Sequence, residues 1–182
     1  MPFIPEEIKR KLGVYTKTKP NRGKLMRKLI SNQDSKSESP SNQQWLSVEH
    51  LAQVEVSSED GAHPIESALT LGAGPGWRAR QPGRQTIRLL FDEPQMVRHI
   101  RLLFEEDEQE RTQQFVLRWS SDRGQSYREI VRQQYNFSPA GSTSECEDYN
   151  VELDRLTALE LTITPDISGA PVCASLAQLR LV

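Results

Sequence analysis

Apolar and polar residues alternate through the stretch from Thr86 to Phe104, which reads TIRLLFDEPQMVRHIRLLF. The alternating apolar residues of its two runs are Ile87, Leu89 and Phe91, then Ile100, Leu102 and Phe104. Residues two apart lie on the same face of a strand, so each run predicts a strand with one buried face. Asp92 to Pro94 separate the runs, and proline favours a turn because it cannot donate to a strand ladder. The stretch therefore predicts a β-hairpin whose apolar face is covered by a second sheet.

Short runs with strand character continue on both sides of this hairpin, bounded by turn residues. Together with the two hairpin strands they give about eight strands: the others are Leu51–Val56, Phe115–Trp119, Tyr127–Tyr135, Tyr149–Leu153, Ala158–Thr164 and Leu176–Val182. A single helical turn is expected within His63–Leu71. This pattern predicts an all-β fold, an eight-stranded antiparallel jelly-roll β-sandwich. Leu117 and Trp119 are expected to share one core with the apolar residues of the hairpin.

The first 44 residues have a different composition from the rest. Residues 1–30 form a basic arm in which short helices are expected at Pro5–Leu12 and Arg22–Ile30, docked through Ile8, Leu12, Leu25 and Leu29. Residues 31–44, SNQDSKSESPSNQQ, hold no large apolar residue and are expected to be a polar linker. The sandwich domain is placed at residues 45–182.

Charge is distributed unevenly along the chain. Residues 1–30 hold nine Lys and Arg against two Glu, whereas the remainder holds 14 Lys and Arg against 23 Asp and Glu. A basic arm on an acidic body indicates either a polyanionic partner or docking of the arm on its own domain. Arg88, Arg101 and Arg118 point away from the apolar faces of their strands and could line one sheet face for a polyanion such as nucleic acid. The alternative is an ordinary solvated face on which they pair with carboxylates.

Several motifs occur in the order of a known family. Gly76-Trp77-Arg78 precedes the paired strands Ile87–Asp92 and Val97–Leu103, and Ser120 to Gly124 with Tyr127 forms a later hairpin motif. From about Trp45 to Val182 the sequence resembles the galactose-binding-like jelly roll, the discoidin or coagulation factor 5/8 type C family. The resemblance implies a jelly-roll β-sandwich that is non-catalytic and recognises glycans, lipids or proteins, with ligand loops at one end.

Loop lengths indicate where a ligand would bind. Connections in an antiparallel sandwich alternate between its two ends, and every second connection here is long, so the long ones should gather at one end. These connections are 57–85, 105–113, 136–148 and 165–175. Because binding residues concentrate on long loops of rigid scaffolds, we expect the ligand at this end. The candidate ligand-binding residues are His63, Arg78, Arg80, Arg111, Tyr135, Asn136 and Phe137, with one of the last two aromatics exposed for stacking.

Motifs for catalysis or a bound metal are not recognisable. The order of Ser, His and Asp residues fits no nucleophilic site, and Cys146 and Cys173 have no zinc-ligand spacing. We expect no enzyme activity, no metal site and no cofactor; calcium at the acidic run Glu105 to Glu110 is the alternative. Two free thiols are expected, and a disulfide between them stays open.

Location and partners complete the expectations. Residues 1–12 lack the apolar segment of a secretory signal, and no apolar run is long enough to span a membrane, so we expect a cytoplasmic protein. The sequence predicts a non-catalytic binding module for a glycan or a protein partner, acting through the long loops. A scaffold for nucleic acid or another polyanion, using the basic arm and the arginine face, is the alternative.

Overall fold

Eight strands and two short helical segments are present in the part of the chain that the computed structural model describes, residues 44–72 and 74–182. The strands are β1 Ala52–Val56, β2 Trp77–Pro82, β3 Gln85–Glu105, β4 Arg111–Ser120, β5 Arg128–Phe137, β6 Ser144–Thr164, β7 Cys173–Leu176 and β8 Gln178–Leu181. A 3-10 turn spans Val48–His50, and helix α1 spans Ile65–Leu69 within the stretch where a helical turn is predicted. Every strand pair is antiparallel, so the predicted all-β jelly-roll class is confirmed.

The basic arm and all but one residue of the predicted linker lie outside the described residues, and so does the predicted docking of the arm. Within the described ranges, neither helical segment has the length and apolar character that a membrane span requires. Cys146 and Cys173 are both free thiols.

Strands β3 and β6 are each 21 residues long and pair with each other along almost their whole length, from Gln85 opposite Ile163 to Glu105 opposite Ser144. The predicted hairpin is therefore wrong, because its two runs are the two halves of β3 and each half pairs with β6. The break at Asp92 to Pro94 lies within β3, and the register shifts between Leu90 and His99 mark the same place.

The two halves of β3 belong to different layers of the sandwich. The first half pairs with β1 and with the second half of β6, which in turn pairs with β4 and through it with β5. The second half pairs with the first half of β6 and with β8. Phe104 on this half contacts Phe115 of β4 with ring centroids 5.1 Å apart, although their strands do not pair. The two layers therefore pack face to face through such side chains.

Seven of the eight residues predicted to share the core are at most 5% exposed: Ile87, Leu89, Phe91, Ile100, Leu102, Phe104 and Leu117. Trp119 differs, because it is only partly buried and the guanidinium of Arg128 lies 5.7 Å above its ring. A register shift between Leu117 and Arg118 interrupts the alternation of β4 just before it. The core prediction is confirmed except at this tryptophan.

Other strand boundaries also differ from the prediction. The predicted strands Tyr149–Leu153 and Ala158–Thr164 are parts of the single strand β6. The predicted strand Leu176–Val182 is replaced by β7 and β8, which have different partners, since β7 pairs with β2 and β8 with β3. Strand β2 was not predicted, because its sequence WRARQP combines two arginines with a terminal proline.

The turn between β4 and β5 forms the hairpin that its sequence SSDRGQS predicts. Arg123 and Gly124 have φ angles of 60° and 81°, the left-handed conformation that such a turn requires. The carboxylate of Asp122 accepts a hydrogen bond from the hydroxyl of Ser120 at 2.6 Å and others from the backbone N–H and hydroxyl of Ser126. These hydrogen bonds lower the pKa of Asp122 to about 2.

Leu102→Ala should reduce the free energy of unfolding by about 2–5 kcal/mol, because it removes a side chain that is 0% exposed. Leu103→Ala is the matched control, since Leu103 is the next residue of β3 and lies on the opposite, half-buried face. Urea unfolding of both variants measures the difference. An equal loss in the two variants would show that the inner face of β3 has been assigned wrongly.

Asp122 should make the stability of the domain depend on pH. Its carboxylate contribution is fully present above the ordinary pKa of 3.8 and is lost as the pH falls through about 2. Across that window the free energy of unfolding of the unsubstituted protein should fall more steeply than that of Asp122→Asn. Denaturant unfolding as a function of pH tests this, and parallel curves for the two proteins would contradict it.

Candidate functional site

The four long connections of the sandwich meet around one cleft of about 410 Å³. All four connections contribute to its lining. The first supplies His63, Pro75, Trp77 and Arg78, and the second supplies Glu105, Glu106 and Asp107. The third supplies Thr143 and Ser144, and the fourth supplies Ser175, with Leu176 and Ala177 beside it. The structure thus brings together the loops that the loop-length argument places at one end. A smaller cleft of about 180 Å³ adjoins it, sharing Arg78 and Glu106 and bounded also by Arg111.

A buried ion pair lies behind the cleft wall. Oε2 of Glu106 is 2.9 Å from Nη2 of Arg111, and the two side chains are 4% and 3% exposed. Burial lowers the pKa of the Arg111 guanidinium, and the carboxylate of Glu106 opposes this shift. The Nε of Arg111 is buried and has no acceptor among the described residues. Arg111 therefore shapes the wall from within and is too buried to be the direct ligand contact that the sequence predicted.

Each member of this pair also holds other loops. Oε1 of Glu106 accepts hydrogen bonds from the backbone N–H groups of Glu108 and Gln109 at 3.0 and 3.1 Å, which closes the acidic loop on itself. The backbone N–H of Glu106 donates to the carbonyl of Thr143 at 2.8 Å, in the third connection. Arg111 donates to the carbonyl of Cys173 at 2.9 Å and to the hydroxyl of Ser175 at 3.1 Å, at the end of the fourth. One ion pair thus ties three connections together.

His63 and Arg78 are the two predicted site residues that line the main cleft. Nδ1 of His63 is 2.8 Å from a carboxylate oxygen of Asp60, and this contact lowers the pKa of Asp60. The backbone N–H of Arg78 donates to the carbonyl of His63 at 3.2 Å, so the two residues are held side by side. Nη1 of Arg78 lies 3.5 Å from Oε2 of Glu108, a partly exposed ion pair across the rim.

The tryptophan of the cleft wall depends on the glycine before it. Gly76 has φ of 79°, and a Cβ at this position would lie 2.7 Å from the carbonyl oxygen of Leu176 and 2.8 Å from Cα of Ala177. Glycine is therefore required where the first connection approaches the segment between β7 and β8. Trp77 follows at 1% exposure, and its indole N–H is buried without an acceptor among the described residues.

The remaining predicted site residues lie away from the cleft. Tyr135 and Phe137 are 9% and 0% exposed, and the ring of Tyr135 stacks on Phe115 at a centroid distance of 5.9 Å. The expected exposed aromatic is therefore wrong at both positions, because the alternation of β5 turns both side chains into the core, and burial raises the pKa of Tyr135. Asn136 is exposed and accepts a hydrogen bond from Thr112, and Arg80 is exposed outside the cleft lining.

The arginines of the alternative polyanion face do not share one face. Arg88 and Arg118 flank Glu160 on the neighbouring strand, with nitrogen to oxygen distances of 2.8 and 3.5 Å. Arg101 lies in the other layer, where it donates to both carboxylate oxygens of Asp148 at 2.7 and 3.1 Å and covers the ring of Trp45 at 5.3 Å. The prediction of one arginine-lined face is wrong because β3 passes between the layers, so that Arg88 and Arg118 share Glu160 in one layer and Arg101 pairs with Asp148 in the other.

Sequence reasoning missed most of the polar wall of the cleft, namely Glu105, Glu106, Asp107, Thr143, Ser144 and Ser175. Glu105 and Ser144 are opposite each other at the end of the β3–β6 ladder, so the register of two long strands was the missing information. Calcium bound at the acidic run Glu105 to Glu110 was the alternative to the expectation of no metal site. The described residues contain no group of three or more His, Cys, Asp or Glu side chains arranged to hold a metal ion.

Arg111→Ala should cost about 3–5 kcal/mol of unfolding free energy, because it leaves the Glu106 carboxylate buried without its partner. Arg80→Ala is the control, since an exposed arginine of the same size should change stability by no more than about 0.5 kcal/mol. Glu106→Gln combined with Arg111→Met should recover part of the loss. Equal unfolding curves for the two single variants would contradict a structural role of the ion pair.

Comparison with solved structures identifies the fold. A family 32 carbohydrate-binding module from a family 31 glycoside hydrolase of Clostridium perfringens is similar to this chain with a TM-score of 0.57 and 16% identity, over 75% of this chain and 93% of that one. The C-terminal domain of a chitobiase from Bacteroides fragilis gives 0.56 and 16%, over 76% and 97%. A further family 32 module from C. perfringens, in complex with GalNAc-β-1,3-galactose, gives 0.53 and 16%, over 76% and 99%.

These likenesses concern the fold, since the sequence identities are low. No protein-family model and no curated protein sequence matches the chain. The solved structures nevertheless match about three quarters of this chain and almost all of their own length. The described part of this chain has the galactose-binding-like jelly-roll fold of the discoidin type.

Proposed function

We propose that this domain is a non-catalytic glycan-binding module whose ligand occupies the cleft between the four long connections. The observation that carries the proposal is the convergence of these connections on one polar cleft. Loops on a rigid scaffold are the usual place for recognition residues. The β-sandwich supplies that scaffold, and the Glu106–Arg111 ion pair fixes the loops.

The chemistry of the wall suits a saccharide. Carboxylates accept hydrogen bonds from sugar hydroxyls, and the guanidinium of Arg78 and the imidazole of His63 can donate to them. Pro75 and Ala177 add apolar surface beside these groups, against which the C–H face of a pyranose ring can pack. A ring bearing many hydroxyls needs this mixture of dense hydrogen bonding and limited apolar contact.

Solved structures of the same fold support the ligand class. One family 32 module from C. perfringens was solved with GalNAc-β-1,3-galactose, and another, with a TM-score of 0.51 and 12% identity, was solved with galactose. The present chain shares only the fold with them, so the identity of its own glycan is left to experiment.

Nucleic acid and protein are the alternative partners for this domain. The nucleic-acid alternative loses its sheet face, because Arg88 and Arg118 are paired with Glu160 and Arg101 with Asp148. It now depends on residues 1–30 alone. A protein ligand on the same loops would also be consistent with a recognition role for the cleft.

A glycan array followed by titration calorimetry with the best oligosaccharide tests the proposal. Arg78→Ala and His63→Ala should each weaken binding about tenfold, because each removes a hydrogen-bonding side chain from the cleft wall. Arg80→Ala, two residues along the same strand and outside the lining, should bind as the unsubstituted protein does. Melting temperatures of all three variants control for unfolding. Retained affinity in both cleft variants, or no glycan bound at all, would reject the proposal.

A further inference from the structure

The charges around the cleft are not balanced. The lining contains Arg78 against three carboxylates, those of Glu105, Glu106 and Asp107. In the adjoining smaller cleft Arg111 and Glu108 add one charge of each sign. Counted over arginine, aspartate and glutamate side chains, the walls therefore carry two negative charges in excess.

Both positive charges are already committed to ion pairs. Arg111 is buried against Glu106 at 2.9 Å, and Arg78 lies 3.5 Å from Glu108. Arg111 is therefore unavailable to an anionic ligand, and Glu108 offsets the charge of Arg78, whose guanidinium can still donate hydrogen bonds to a hydroxyl group. The negative charges of Glu105 and Asp107 differ, because both side chains are exposed and neither makes an ion pair or a side-chain hydrogen bond with any described residue.

A second feature of the wall also points to a ligand. The side chain of Trp77 is almost completely buried, it lines the same cleft, and its indole N–H has no acceptor among the described residues. Buried donors are normally paired. The site therefore combines two unpaired carboxylates with an unpaired donor, a set that suits a ligand carrying both cationic and hydroxyl groups.

We propose that the cleft selects saccharides with a free amine, such as unacetylated hexosamine units, over neutral saccharides and over uronates; this inference rests on the proposed glycan-binding function. The protonated amine donates charge-assisted hydrogen bonds to Glu105 and Asp107. The N-acetylated sugar is neutral and lacks that attraction. A uronate brings a third uncompensated negative charge into the cleft. Water and salt screen charges less in a partly enclosed cleft than in open solution, so the wall carboxylates repel the uronate.

The test compares oligosaccharides of one length that differ in a single substituent on each sugar ring, which sets the charge. In both the gluco and galacto series, the free amine, the N-acetylated form, the neutral sugar and the uronate are titrated by calorimetry against the full chain at neutral pH. Within the series that binds, the amine should bind about three- to tenfold more tightly than the neutral sugar, and the uronate more weakly than either. Raised ionic strength should reduce the advantage of the amine.

A matched pair of double variants assigns the effect to the cleft. Glu105→Gln with Asp107→Asn should abolish the preference for the amine, while binding of the neutral sugar persists. Asp92→Asn with Glu93→Gln removes the same charge from exposed residues of the bend in β3, away from the cleft lining, and should leave the preference unchanged.

The outcomes separate this inference from the proposed function. Binding of the uronate as tightly as the amine overturns the inference and leaves glycan binding intact. An amine preference that survives in the cleft variant, or falls equally in the control, also overturns it, because the charge responsible then lies elsewhere. If no member of either series binds, the proposed function itself fails.

Discussion

The pairing of β3 with β6 is the constraint on which the rest of the molecule depends. Both strands run through both layers, so one ladder, with register shifts between Leu90 and His99, sets the inner faces of the two sheets. Within either half, a slip by one residue would turn its core residues outward, such as Ile87 in the first half or Leu102 in the second. The same register places Glu105 opposite Ser144 at the end of the ladder, which sets the second and third connections side by side. The position of the cleft thus follows from the pairing that forms the core.

At that end of the ladder, neighbouring acidic residues have different physical roles. Glu106 turns inward and is buried with Arg111, where it holds the loop N–H groups and, through its partner, the end of the fourth connection. Glu105 and Asp107 remain exposed at the cleft wall. A buried pair of this kind adds little net stability compared with apolar residues, but losing one partner is costly, so it fixes the loop geometry. Glu106 and Arg111 therefore neutralise each other in the interior, and the net charge of the exposed wall is negative.

The sequence predicted the faces of the strands better than their partners. Alternation identified Ile87, Leu102 and their neighbours as core because burial follows the period of the strand, whichever strand lies alongside. It could not show that the two runs flanking Asp92 to Pro94 pair with β6 and not with each other, since a bend within a strand and a hairpin turn need the same residue types. The convergence of the long loops followed from their lengths. Glu106 continues the inward alternation of Leu102 and Phe104, but its burial as a charge depends on Arg111 of the next strand, and no pattern in the sequence pairs the two.

The most direct test of the central claim is to map a bound saccharide on the protein by NMR. Chemical shift changes on titration of ¹⁵N-labelled protein with the best-binding oligosaccharide would locate the contact surface without substitutions. The account predicts that the largest changes fall on the indole N–H of Trp77 and on the backbone amides of Glu105 to Asp107, Ser144 and Ser175. Changes centred instead on the strand residues around Glu160, or on the turn at Asp122, would place the ligand elsewhere and contradict it.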